Sequence, residues 1–295
     1  IRELPIPTYY GDEICHVNGM KYAWDVVMTV LRYRAQGLGI FYDRRFDVQG
    51  HENQLMNYQL KEEGISPHTI TIDLVRHGSR VLDLGCASGY VGKLLKSKKN
   101  CAVTGVDQCT HPQQTQLDAF LQHNLFDGPP TLAYENFDYL LLLDVIEHVP
   151  NPERFLEDLH LKMSLAKNAT LLISTGNVAF IITRLMLLFG QFNYGKRGIL
   201  DMTHTRLFTF SSLQHLLGQS GFDVLSAQGV PAPFGLATGA GFISKSLLHI
   251  NSFFIKLSKT LFSYQMYMVA RPRPTVALLL ENAVEHSEKL VQRTN

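Results

Sequence analysis

Two groups of residues in this 295-residue chain have types and spacings that could do chemistry. The first is Asp83-Leu84-Gly85-Cys86-Ala87-Ser88-Gly89-Tyr90. A glycine turn between a strand and a helix brings bare backbone N–H groups beside a ligand. A dinucleotide turn reads G-x-G-x-x-G, with its second glycine leaving room for a pyrophosphate. Here position 87 is Ala and the glycines read G-x-x-x-G. Asp83, two residues before the first glycine, would repel a pyrophosphate and suits a cationic, amino-acid-like ligand. Asp107 closes the run Ala102-Val103-Thr104-Gly105-Val106. Its carboxylate comes about twenty residues after the turn and can accept hydrogen bonds from two sugar hydroxyls. The second group is Asp144, Glu147 and His148, followed later by Asp201-Met202-Thr203-His204-Thr205-Arg206-Leu207-Phe208-Thr209. His148 or His204 could act as a general base on a hydroxyl, as an imidazole near neutral pKa does. Alternatively, Glu147, His148 and His204, with Asp144, could bind a divalent cation that acidifies the same hydroxyl. A third reading has Glu147 capping or ion-pairing and His148 only packing. Arg206 fits either a phosphate or carboxylate clamp or a salt bridge near a helix N-terminus. Asn177 and Tyr194 are further substrate-side candidates.

The elements that must position these groups are legible as alternating strands and helices. Arg80-Val81-Leu82 leads into the turn, and Val91 to Lys96 continues it as a helix. Phe137 to Leu143 is apolar enough for a buried parallel strand, polar only where it leaves the sheet. Ala169 to Ser174 reads as the fifth strand. Asp223 to Ala227 and Gln265 to Ala270 read as a closing antiparallel pair. Helices are expected over Pro67 to His77 with Ser66 as N-cap, from Asn151 to Met163, and from Thr209 to Ser220 before Gly221. Ligands of open α/β sheets bind at the carboxyl ends of strands. Asp83, Gly85, Asp107, Asp144, Glu147 and His148 would share that edge.

The Asp83–Gly89 motif, the strand ending in Asp107 and the strand ending in Asp144 together resemble class I S-adenosylmethionine (SAM) dependent methyltransferases. The resemblance implies an α/β fold: a Rossmann-like, seven-stranded, mostly parallel sheet with helices on both faces. It implies that SAM lies against Asp83, Gly85, Cys86, Ala87, Gly89, Tyr90, Asp107, Gln108, Asn124 and Asp144. Asn124 stands where family members often carry an acid that reads the adenine amino group. The pair Glu147-His148 resembles the ubiquinone-type O-methyltransferases and the small-RNA 2′-O-methyltransferases, whose E-x-x-E-H supplies metal ligands. Here Asp144 replaces the first Glu, which leaves the divalent cation in question. The segment from Thr203 to Thr209 resembles bacterial methyltransferases of small or lipid-linked substrates.

Composition narrows the function further. A formal net charge of +1 gives no basic field for nucleic acid. The four cysteines form no CxxC pair and read as reduced thiols in the cytoplasm. The expected domains are an N-terminal extension over 1–65, a methyltransferase domain over 66–272 with insertions at about 176–208 and 231–263, and a helical tail over 273–295. Within the extension, Tyr22 to Arg34 reads as a helix. Glu3-Leu4-Pro5-Ile6-Pro7-Thr8-Tyr9-Tyr10-Gly11-Asp12-Glu13-Ile14-Cys15 and Asn18-Gly19-Met20-Lys21-Tyr22-Ala23 resemble the tail of family 2 glycosyltransferases of the polyprenyl-phosphate sugar transferase type. With Ile1 in place of Met, this points to a piece of a longer protein with a glycosyltransferase upstream. Val178 to Phe189 is too short to cross a bilayer, and Lys245, His249, Lys256 and Lys259 interrupt Phe242 to Phe262. The latter suits an interfacial helix or a lid over the site, with the protein peripheral on the inner membrane face in the first case. The expected reaction is methyl transfer to a hydroxyl of a small or lipid-linked acceptor, a sugar in surface polysaccharide assembly. The rivals are a quinone or phenol O-methyltransferase, a non-catalytic SAM-binding scaffold and, more remotely, an RNA methyltransferase.

Overall fold

Residues 18–37, 42–46, 64–109, 117–164, 169–235, 241–276 and 279–280 are described in the computed structural model. Strand β1 (Arg80–Leu84) alternates strictly in the sheet: Leu82 and Leu84 enter one apolar cluster, and Val81 enters the cluster on the opposite face. Beside it run β2 (Ala102–Asp107), β3 (Ala119–Gln122), β4 (Tyr139–Leu143), β5 (Thr170–Gly176), β6 (Phe222–Val230) and β7 (Gln265–Pro272). Among the described residues they form one seven-stranded sheet ordered β3-β2-β1-β4-β5-β7-β6. The first five pair in parallel, and β7 runs antiparallel to both β5 and β6. The expected Rossmann-like sheet and its closing antiparallel pair are therefore present. The chain steps outward from β1 through β2 to β3, then returns to the other side of β1 as β4. That reversal opens a crevice at the carboxyl ends of β1 and β4.

Helices cover both faces. On one side α4 (Pro152–Met163) and α6 (Phe210–Gln219) insert Phe155, Leu156, Leu159, Leu213 and Leu217 against the even-numbered leucines of β4. On the other, α2 (Pro67–Leu74) and α3 (Tyr90–Lys99) contribute Ile72, Val91 and Leu95. Each burial of a leucine-sized side chain contributes roughly 1.5–3 kcal/mol. The helix starts are built as the sequence requires. Ser66 accepts from the Thr69 N–H in a capping box, Asn151 accepts from Arg154, and Thr209 pairs reciprocally with Ser212. Helix α2 stops at Leu74, three residues short of the expected His77. Val75 is extended there, and Gly78, at φ +74°, turns the chain into β1.

The first insertion contains α5 (Ile181–Leu188). The second contains α7 (Phe242–Leu257) and the short α8 (Lys259–Phe262), because extended backbone at Ser258 breaks the apolar stretch in two. Helix α1 (Gly19–Gly37) covers the expected Tyr22–Arg34 helix, and large side chains such as Trp24 and Leu31 are exposed on it. Residues 1–17 of the glycosyltransferase-like segment and residues 281–295 of the expected helical tail lie outside the described residues. No helix among the described residues is long and apolar enough to cross a membrane.

Candidate active site

The glycine turn is held by β2. Gly85 and Cys86 donate their N–H groups to the Val106 carbonyl at 2.8 and 3.1 Å, and Gly89 donates to Cys86 at 2.8 Å. Ala87 donates to Asp107 Oδ2 at 2.9 Å, and Cys109 N–H to Asp107 Oδ1 at 3.0 Å. The expectation of bare N–H groups fails at these positions, because the turn uses them to build itself. That leaves no phosphate-type cradle among them, in keeping with a G-x-x-x-G turn. Gly85 sits at φ +81°, and a Cβ on it would lie 2.4 Å from Val145 Cγ2. The turn therefore packs directly on the loop that follows β4. Ala87 itself is at φ +45°, an uncommon conformation for a residue with a Cβ.

Asp83 lies at the end of β1 with only 3% of its surface exposed, and its Oδ2 has no hydrogen-bond partner. Burial, with the nearby Asp107 charge, pushes its carboxyl up to about 7. An unpartnered buried carboxylate beside a glycine turn calls for a cationic or hydrogen-donating ligand. Tyr90 closes the other side: its hydroxyl lies 2.6 Å from His68 Nε2, and the two rings meet edge to face. Burial lowers the His68 pKa, while the Asp144 charge opposes that shift. Sequence reasoning missed His68. Its one signal was its place in the first turn of the helix that precedes the motif. Gln108 is exposed next to Asp107. Asn124 accepts the Phe126 N–H at 3.1 Å and caps a short 3-10 turn after β3.

The post-β4 loop carries the second group. Asp144 adopts φ +54°, and its carboxylate accepts from Ser174 Oγ and Gln265 Nε2, each at 2.8 Å. Ser174 and Gln265 were not foreseen, because they lie on β5 and β7 and meet Asp144 only through strand order. Glu147 is buried, with Oε2 unpartnered, and burial together with Asp144 raises its carboxyl to about 8. His148 and His204 stack edge to face with centroids 4.8 Å apart. His148 Nδ1 lies 3.2 Å from the Thr203 carbonyl and His204 Nδ1 lies 3.0 Å from the Ile199 carbonyl. A carbonyl can only accept, so both Nδ1 atoms carry protons. Each neutral ring then keeps its lone pair on Nε2. Burial, and the neighbouring His148, lower the His204 pKa.

The Thr203–Arg206 segment reaches this loop through backbone. Thr205 and Arg206 N–H groups both donate to the Glu147 carbonyl, and Thr205 Oγ1 reaches the Glu147 and Val149 carbonyls. Two substrate-side expectations, Arg206 and Asn177, need correction here. The Arg206 guanidinium forks onto Glu153 at the start of α4, at 3.1 and 3.3 Å, and so takes the helix-terminus salt bridge in place of the acceptor clamp. Asn177 is fully buried, donating to the Thr260 and Ser263 carbonyls and accepting from Ala179, so it pins the two insertions together and is not open to a substrate. For the alternative cation set, Asp144 is engaged by Ser174 and Gln265, and no group of three or more His, Cys, Asp or Glu among the described residues is placed to hold a metal. Tyr194 is exposed and its ring meets Phe192 edge to face.

A family described as a methyltransferase domain matches residues 59–227, more than half of the chain. The ubiquinone biosynthesis O-methyltransferase of Coxiella burnetii is 31% identical over 114 residues, covering 36% of this chain and 44% of that protein. The tRNA U34 carboxymethyltransferase of Pseudomonas putida is 30% identical over 184 residues, covering 58% of this chain and 55% of its own. The chain thus spans about half the length of the curated relatives it matches. Among solved structures, the Burkholderia thailandensis 1,6-didemethyltoxoflavin-N1-methyltransferase, with 1,6-didemethyltoxoflavin and S-adenosylhomocysteine bound, superposes with a TM-score of 0.46. The two are 15% identical, and 88% of this chain and 93% of that one are covered. The chain belongs to the methyltransferase-domain family.

Proposed function

We propose that the chain is a SAM-dependent O-methyltransferase. The observation that carries this reading is Asp83: a buried carboxylate with an unpartnered oxygen, set against a glycine turn whose Gly85, Cys86, Ala87 and Gly89 N–H groups are already paired. These residues fit SAM. Asp83 would take the ammonium of its amino-acid end, the turn from Gly85 to Gly89 would lie along it, and Asp107 would offer its remaining lone pairs to the ribose. When bound, the cofactor supplies a methyl group on a sulfonium that leaves as a neutral thioether. The acceptor oxygen needs to lose a proton as its lone pair forms the new bond to carbon. His148 takes that proton on Nε2, while its Nδ1–H stays on the Thr203 carbonyl. His204 backs the ring.

For the acceptor, a sugar hydroxyl on a small or lipid-linked carrier is the first reading. It rests on the likeness of residues 1–45 to a glycosyltransferase tail. A phenol or quinol is the second, and the ubiquinone biosynthesis O-methyltransferases among the relatives favour it. Calorimetry with S-adenosylhomocysteine on the chain and on Asp107→Ala tests the cofactor half. Micromolar binding weakened about 10- to 100-fold in the variant supports it, as loss of charged hydrogen bonds would produce. A folded wild-type chain that binds nothing overturns it. Methyl transfer from labelled SAM to glycan and phenol panels then separates the acceptors, and binding without turnover on any acceptor would favour the non-catalytic scaffold.

A further inference from the structure

Helix α7 leaves most of its largest apolar side chains exposed, while Leu247, Leu248 and Ile255 are half-buried. Its one buried residue is Asn251, which accepts from the Ala232 N–H and donates to the Phe262 carbonyl. Ile255, on the same side, lies against Gly229 of β6. The opposite face carries the exposed apolar residues. Phe242, Ile243, Ile250, Phe253, Phe254 and Leu257 fall on one arc at helical spacing, and Phe242 is 85% exposed and Leu257 66%. Lys245, His249 and Lys256 line one border of that arc. Lone exposed apolar residues need no explanation, but a contiguous apolar stripe on a helix already anchored by its polar side does.

Charge identifies the kind of surface that fits. The chain as a whole carries +1, yet no acidic residue occurs between Asp158 and Asp201, or between Asp223 and Glu281. Both insertions lie almost entirely within those spans. They carry Arg184, Lys196 and Arg197 in the first and Lys245, Lys256 and Lys259 in the second. Helix α5 adds Leu187, Leu188 and the following Phe189, all exposed. A protein partner of mixed charge has no need of an acid-free surface, whereas an anionic lipid headgroup layer does. Position agrees. The second insertion leaves β6 and enters β7 at the edge of the sheet that holds the site, because Gln265 at the start of β7 reaches Asp144. Asn177 ties the first insertion to the second at the same edge.

We propose that the outward face of α7 docks the protein onto an anionic membrane surface, so that an acceptor held in the lipid layer meets the catalytic edge. The role given to the acceptor rests on the methyl-transfer reading above. The docking itself is measured separately.

The test is flotation of the full chain with vesicles of phosphatidylcholine alone or with phosphatidylglycerol, at low and high salt. Each protein is also titrated with S-adenosylhomocysteine. The chain is expected to float with the anionic vesicles at low salt and to be released by high salt. Phe253→Ser with Leu257→Ser should cut the bound fraction about ten-fold. Lys245→Glu with Lys256→Glu should do so on anionic vesicles. Cofactor-product affinity should be unchanged in both. If the double apolar variant fails to fold, Ile250→Ser alone serves, with a smaller loss expected. A wild-type chain that binds S-adenosylhomocysteine but stays off anionic vesicles overturns the proposal. So does flotation unaffected by the substitutions, or a dimer in solution that the same substitutions dissociate, which would make a second copy the occupant. Failure to bind S-adenosylhomocysteine counts against the methyl-transfer reading and leaves the flotation result to be judged by itself.

Discussion

The imidazoles of His148 and His204 meet edge to face at 4.8 Å, and each commits Nδ1 to a backbone carbonyl. One ring follows β4 and the other ends the first insertion, so the pair exists only because Thr205 and Arg206 hang from the Glu147 carbonyl. With Nε2 as the lone-pair nitrogen, His148→Ala is expected to lower turnover about 10²–10⁴-fold, the usual range for a general base. S-adenosylhomocysteine binding should be unchanged. A loss of binding equal to the loss of turnover would make His148 a packing residue instead.

His204 should show itself in the pH profile. Burial lowers its pKa, which favours the neutral ring beside His148 and lessens its repulsion of the proton arriving there. His204→Lys would place a fixed positive charge at that spot. The expected result is a fall in turnover and an acid limb moved to lower pH, because a cation neighbour depresses the base. An unmoved limb would separate the two rings functionally.

Two buried carboxyls make stability depend on pH. Asp83 and Glu147 are raised to about 7 and about 8 in the folded chain, whereas in the unfolded chain they ionise near 4. Between those limits the folded state holds more protons than the unfolded one, so stability falls as pH rises. The contribution is fully present below about pH 4 and is lost through pH 7 to 8. The thermal midpoint of the ligand-free chain is expected to drop from pH 5.5 to 8.5 and to flatten in Asp83→Asn with Glu147→Gln. An unchanged slope in that double variant would place the titration elsewhere.

Ligand binding should reverse part of this. An ammonium brought to Asp83 favours its ionised form, so binding near pH 6.5 should release up to about one proton. Calorimetry in buffers of different ionisation enthalpy reads that number directly. Asp83→Asn should remove the release and weaken binding about ten-fold or more. Proton release that persists in Asp83→Asn would point to another carboxyl.

Gly85→Ala combines two costs. The residue sits at φ +81°, and its new Cβ would meet Val145 at 2.4 Å. Together these should cost about 1–3 kcal/mol by chemical denaturation, with weaker S-adenosylhomocysteine binding. Val145→Ala should recover the steric part but not the backbone part, so a partial rescue is expected. Full rescue would show that backbone conformation at this position is of no consequence.

The sheet and the cofactor edge were readable from sequence because they are local. An apolar run ending in an acid, a glycine turn and a capped helix each declare themselves within about ten residues, and βαβ order then places Asp83, Asp107 and Asp144 on one edge. Tertiary structure alone decided what the polar groups do there. Arg206 meets Glu153, Asn177 is enclosed between two insertions, and Asp144 accepts from Ser174 and Gln265. These choices depend on which distant segments pack together, and hydrogen-bonding groups take whichever partner the packing brings within about 3 Å. The same holds for α7. Its sequence shows that the helix is amphipathic, but only the burial of Asn251 shows that the apolar face looks outward.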